Sequence, residues 1–180
     1  RGPAIRITDN VAINIAGESS TEDLVSIYQS GGTASDPILI ARNKFLGGGP
    51  SGSGAGILLG DHGGNDIVAE DNILVNPGSL GLVIAGGHDL TFRNNRVYSD
   101  DQREVFPNTG FSAGGDCPSY TVEYNEITFY QAANWNNNGK SAWLQPFWKT
   151  PRSASDAEPA CNHFAGWSTN KFDTSKAQPA

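Results

Sequence analysis

An Asn framed by apolar residues at fixed offsets recurs six times in this chain, at Asn10, Asn43, Asn72, Asn95, Asn125 and Asn170. Three places before each stand Ile7, Ile40, Ala69, Phe92, Val122 and Trp167, and five places before stand Ile5, Ile38, Ile67, Leu90, Tyr120 and Ala165. Two places after stand Ala12, Phe45, Leu74, Val97, Ile127 and Phe172. Alternation at −5 and −3 is the period-2 signature of a strand with one buried face. An Asn at one phase in every repeat predicts a turn whose side-chain amide is satisfied by its copy in the neighbouring repeat. Self-similarity of this kind constrains the chain to a solenoid.

Successive Asn lie 33, 29, 23, 30 and 45 positions apart. Repeats of that length, built from short strands and Gly-rich turns without a helical period, predict a parallel β-coil. A second strand ending in a Gly turn is legible in Gly56-Ile57-Leu58-Leu59-Gly60, Gly81-Leu82-Val83-Ile84-Ala85-Gly86 and Gly110-Phe111-Ser112-Ala113-Gly114. On these residues the chain, from Arg1 to about Asp173, resembles the right-handed parallel β-helix superfamily, the fold of pectate lyases and related polysaccharide-active proteins. The expectation is an all-β, right-handed parallel β-helix of about six coils, forming one domain over residues 1–180.

Nineteen acidic against twelve basic residues give a formal net charge of −7. That balance argues against nucleic acid, whose binding rests on Lys and Arg neutralising phosphates. It also weakens the case for polyuronates unless bound Ca²⁺ reverses the local field. A neutral glycan fits better. No apolar run approaches the roughly 20 residues that span a bilayer, and no signal peptide is legible. The chain begins at Arg1 and has no Met, which reads as part of a longer open reading frame. The strand pattern starts by Ile5, leaving no room for an element that covers the first coil, so something upstream or a partner is expected to cover it.

The two cysteines, Cys117 and Cys161, fall eight residues before Asn125 and nine before Asn170. Nearly equivalent places in coils stacked about 4.8 Å apart suit a disulfide, with two buried thiols as the alternative. A bridge would place the protein outside the cytoplasm.

Catalysis on such a scaffold needs a cluster on one face. The outward positions give a stack of Glu70, Arg93 and Glu123, which reads as a cross-strand charge ladder, and Asp71 near Arg42, one acid beside one base. No three acids share a phase. The turn Gly60-Asp61-His62-Gly63-Gly64-Asn65-Asp66 and its counterpart Gly86-Gly87-His88-Asp89 place Asp61, Asp66, Asp89 and Asp116 in corresponding positions. Oxygen-rich turns can hold a structural Ca²⁺, and His62 and His88 could add acid–base function, although Asp beside Gly is ordinary turn chemistry. No other cofactor is expected.

Trp167 sits at the inward −3 phase, whereas Trp135, Trp143 and Trp148 all lie in the longest spacing, between Asn125 and Asn170. Trp143 aligns with inward Ile57, Leu82 and Phe111. Trp135 and Trp148, with Tyr130, Asn136 and Gln145 nearby, have the composition of a glycan-binding loop: rings for sugar faces to stack on and amides for hydroxyls. The competing reading is that these aromatics plug the end of the solenoid. A second loop, Tyr98 to Phe106, carries Asp100 and Arg103 and could wall the same groove.

The chain therefore looks similar to the non-catalytic β-helical xylan-binding modules attached to bacterial glycoside hydrolases. That resemblance implies a neutral plant polysaccharide, xylan first, a catalytic domain on the same chain, and an extracytoplasmic setting without nucleic-acid or membrane partners. The alternative is a fragment or minimal form of a β-helical polysaccharide lyase or hydrolase.

Overall fold

The computed structural model describes residues 5–99, 110–113, 119–128 and 164–173. Within them the chain winds as a parallel β-solenoid. The strands are β1 (Arg6–Thr8), β2 (Val11–Ile13), β3 (Val25–Gly31), β4 (Ile38–Ala41), β5 (Lys44–Leu46), β6 (Ala55–Glu70) and β7 (Ile73–Val75). They continue as β8 (Leu80–Ile84), β9 (His88–Arg93), β10 (Arg96–Tyr98), β11 (Phe111–Ala113), β12 (Tyr120–Glu123), β13 (Glu126–Thr128) and β14 (Lys171–Asp173). Every pairing between them is parallel. One face stacks β3, the first part of β6, β8 and β11; the next stacks β1, β4, the second part of β6, β9 and β12. The third is a six-stranded sheet in the order β14-β13-β10-β7-β5-β2. All three faces are present in about four complete turns, from β3 to β13, and the first and last rungs contribute partial turns. This corrects the expectation of six coils: six Asn rungs exist, but the end rungs do not close a full circuit.

The rungs stack because each Asn completes its neighbour. The backbone N–H and the Nδ2 of Asn72 both donate to Asn95 Oδ1, at 3.1 and 2.9 Å, and those of Asn95 donate to Asn125 Oδ1 at 2.9 and 3.0 Å. Each Nδ2 also donates to the backbone carbonyl three places before the Asn of the preceding rung, Asn95 to Ala69 and Asn125 to Phe92. Asn43, Asn72, Asn95, Asn125 and Asn170 are buried, yet every polar atom of their amides is used. Burial of so many amides is tolerable only on that condition.

The core is the inward alternation of the sequence. Ile38, Ile67, Leu90 and Tyr120 stack in register, as do Ile40, Ala69, Phe92 and Val122, and all eight are buried. Phe45, Leu74, Val97 and Ile127 line the third face, and Ile57, Leu82 and Phe111 the first. A bend at Gly60 (φ +70°) divides β6, and a Cβ there would lie 2.0 Å from Gly86 O, so only glycine fits. Gly49 is equally constrained, since a Cβ would lie 1.7 Å from Thr21 O.

The first and sixth rungs depart from expectation. Ile5 is 49 % exposed and Ala12 is exposed, because no coil covers them among the described residues. In the sixth rung Ala165 is not the inward −5 residue. It bridges Thr121 and is exposed, while Phe164 is buried and stacks on Tyr120 at 5.9 Å and 15°. The cause is a 3₁₀ turn over Trp167–Thr169, which takes up one extra residue before Asn170. Trp167 stays in the core, buried against Phe111 and Phe164, on that turn and not on a strand.

Candidate functional site

The Asn ladder turns a corner between the second and third faces, and the residue before each Asn occupies the bend. Asp9, Arg42, Asp71, Asn94 and Tyr124 all take left-handed backbone there, with φ between 53 and 59°. That region suits Asp and Asn, whose short side chains tolerate it, and penalises bulkier ones. Tyr124 is the poorest match to its conformation, and the residue is 58 % exposed and therefore gains little from packing. A strained, exposed aromatic is an unusual choice at a corner whose preceding rung uses Asn94.

Beside this row runs the row one place after each Asn, outward on the third sheet. Between the two lies an open groove of about 370 Å³ lined by Asp71, Asn72, Ile73, Asn94, Arg96, Tyr124 and Glu126. It runs along the stacking direction over three rungs, about 10 Å at the usual strand spacing. Its walls combine one aromatic ring, two Asn, two carboxylates, a guanidinium and Ile73. Arg96 Nε lies 3.4 Å from Glu126, which Lys171 also reaches at 3.2 Å. The groove is thus polar, nearly balanced in charge, and carries a flat apolar ring.

Charge rows flank it. Arg93 pairs with Glu70 at 2.5 Å and stands in register with Glu123, as the charge ladder predicts. Arg42 reaches back, not forward: its guanidinium grips Asp9 through two bonds of 2.8 and 2.6 Å, and Asp71 is left facing the groove. The hydrogen bond from Arg42 is the main reason that the Asp9 carboxyl titrates below the ordinary carboxylate range. Such a pair contributes stability above the unfolded-state pKa and loses it as pH falls through the lowered one. Side-chain NMR titration of Arg42→Gln is expected to return the Asp9 midpoint upward to the ordinary range; an unmoved midpoint would refute the assignment.

The other corner holds the turn residues singled out as cation ligands. Tyr28 and His62 rings meet at 5.2 Å, and Asp61 stands opposite Tyr28 in register. Asp66 accepts from Asn65 Nδ2 at 2.6 Å, and Asp89 pairs with His88 Nδ1 at 2.7 Å, which lowers its pKa. Asp66 and Asp89 are each bonded to the residue beside them in sequence, and Asp61 does not join them in a group. Among the described residues no three His, Cys, Asp or Glu side chains gather in a cation-holding group.

Tyr98 is 44 % exposed in β10, on the outer face of the third sheet in register with Val75 and Leu46, and does not line the groove. Tyr130, Trp135, Asn136, Gln145, Trp148, Asp100 and Arg103 lie outside the described residues, as do Trp143, Asp116 and the Cys117–Cys161 pair. The corner groove was missed in sequence because its residues are 23 to 30 positions apart; Tyr124 could have been found as the aromatic in a row of Asp, Arg and Asn. No family model, curated protein or solved structure matches this chain at a significant level.

Proposed function

We propose that this protein is a non-catalytic carbohydrate-binding module that holds a neutral plant polysaccharide, xylan first, along the corner groove, and so targets an attached glycoside hydrolase outside the cytoplasm. The reading places it beside the β-helical xylan-binding modules of the pectate-lyase-like superfamily, which the repeated Asn rungs resemble. One observation carries it: an exposed Tyr124, held in a left-handed conformation that disfavours its ring, beside the groove residues Asp71, Asn94 and Arg96. Strain kept at an exposed position is a pointer to function. Sugar rings stack on aromatic faces, and carboxylate, amide and guanidinium groups exchange hydrogen bonds with hydroxyls. The formal charge of −7 favours an uncharged chain over a polyuronate.

Tyr124→Asn separates binding from stability. Asn suits left-handed backbone, so the variant is expected to gain about 0.5–1 kcal/mol of stability. Losing the stacking ring should weaken retardation by xylan about tenfold, equivalent to ~1.4 kcal/mol. Affinity electrophoresis against xylan, mixed-linkage glucan, pectin and alginate, with reducing-end and unsaturated-product assays on the same samples, reads both. Retardation unchanged in Tyr124→Asn removes the groove from the reading. Product release by the unaltered protein would replace the module with a lyase or hydrolase.

A further inference from the structure

One place after each Asn, six residues in register open the strands of the third sheet: Val11, Lys44, Ile73, Arg96, Glu126 and Lys171. Three of them are cations and one is an acid, on a chain whose formal charge is −7. The cations stand on alternate rungs, the second, fourth and sixth, and so repeat at about 10 Å, twice the usual strand spacing. Ile73 and Glu126 fill the rungs between them. This row is one wall of the corner groove, and Arg96 lines the groove at its middle rung.

The guanidinium of Arg96 is used differently from those of the other described arginines. Arg6 donates to Asp36 and to Pro37 O, Arg42 holds Asp9 through two bonds, and Arg93 donates to Glu70 at 2.6 Å. The side chain of Arg96 makes no hydrogen bond among the described residues. Its Nε lies 3.4 Å from Glu126, beyond the usual hydrogen-bond length, and Lys171 holds Glu126 from the next rung at 3.2 Å. Both Nη groups of Arg96 are therefore uncommitted, in a fork whose geometry matches a carboxylate. Lys44 is exposed and also pairs with no acid among the described residues.

Asp71 and Glu126 border the same groove. A polyuronate carries a carboxylate on every sugar and sets some of them against these two acids, which counts against it. A wholly neutral chain leaves the Arg96 fork without a ligand. A neutral backbone with a sparse acidic side group meets both conditions. We propose that the corner groove takes a xylan-type backbone bearing uronic-acid side groups, and that Arg96 determines this specificity. The inference rests on the carbohydrate-binding reading of the groove. The backbone stacks on Tyr124, and the side-group carboxylate accepts two N–H bonds from the Arg96 fork one rung away. Lys171 keeps Glu126 paired when Arg96 turns to the ligand. Lys44, two rungs from Arg96 in the same row, is placed for a second carboxylate.

Affinity electrophoresis of the full chain tests this with three probes: xylan substituted with glucuronic acid, the same xylan with its carboxyl groups reduced to alcohols, and polygalacturonate. The unaltered protein should bind the acidic xylan about fivefold more tightly than the reduced one, the scale of a good exposed ion pair. That advantage should shrink as salt is raised from about 0.01 to about 1 M, whereas stacking on Tyr124 should not weaken. Arg96→Gln should lose the advantage, keep its affinity for the reduced xylan and melt as the unaltered protein does, because the side chain is exposed and holds no hydrogen bond. Equal binding of the two xylans overturns this inference and leaves the module reading standing. An advantage that survives in Arg96→Gln, or polygalacturonate bound as tightly as the acidic xylan, overturns it as well. Binding of neither xylan removes the carbohydrate reading itself, and this inference with it.

Discussion

Asn95→Leu is expected to lower the unfolding free energy by about 3 kcal/mol. Leucine matches the shape roughly but neither donates nor accepts. The substitution leaves the backbone N–H of Asn72 without its acceptor, takes one of two hydrogen bonds each from Asn72 Nδ2 and Asn125 Oδ1, and removes the amide donor from the carbonyl of Ala69, all inside the stack. A buried polar group left without a partner costs roughly 1–3 kcal/mol, and each of the other hydrogen bonds lost adds about 0.5–1.5 kcal/mol. Urea denaturation measures the loss, which should appear as a lower midpoint at unchanged slope. Asn10→Leu is the internal control: Asn10 is exposed at the open end, so the same chemistry should cost well under half as much. Equal costs at both positions would mean that burial does not give the ladder its weight.

Trp167→Ala is expected to cost about 3–5 kcal/mol, as a large aromatic truncated in a packed core. The indole packs at 5.5 Å from Phe111 and 5.4 Å from Phe164, and Phe111 meets Phe92 edge-on at 6.3 Å, so the cavity would open beneath the sixth rung. The backbone oxygen that holds the Asn170 amide is unaffected by the change of side chain. Thermal denaturation should therefore show a large fall in midpoint, while glycan retardation measured well below that midpoint stays as in the unaltered protein. This is the reverse of the pattern expected for Tyr124→Asn. A cost under 1 kcal/mol would place the ring outside the core.

Much of this was legible before any coordinates. The inward rows were fixed by alternation, because apolar residues at −5, −3 and +2 from an Asn have only one shared face to occupy. The Glu70, Arg93 and Glu123 stack was legible for the same reason: residues at one phase of a parallel stack become cross-strand neighbours. Where the phase rule failed, at Ala165, the cause was a 3₁₀ turn that adds a residue without leaving a mark in the hydropathy pattern. The partner that Arg42 bonds was less legible. Phase placed Asp9 and Asp71 equally near Arg42, and only the direction of the guanidinium decided for Asp9.

By itself the sequence determined the phase of each rung, the composition of the core and the ladder of amides, since all three follow from periodicity and from the need of buried amides for partners. The tertiary structure decided the rest. It set the corner backbone into the left-handed region, which made Tyr124 a strained and exposed ring instead of another turn residue. It brought Asp71, Asn94, Arg96 and Glu126, one rung from the next, into a single groove beside that ring. It also closed the sixth rung on its own 3₁₀ turn, where the Nδ2 of Asn170 donates to Trp167 O. Such features depend on how successive rungs are placed in space, and a side chain's offset from its own Asn carries no information about the direction in which it leaves the corner.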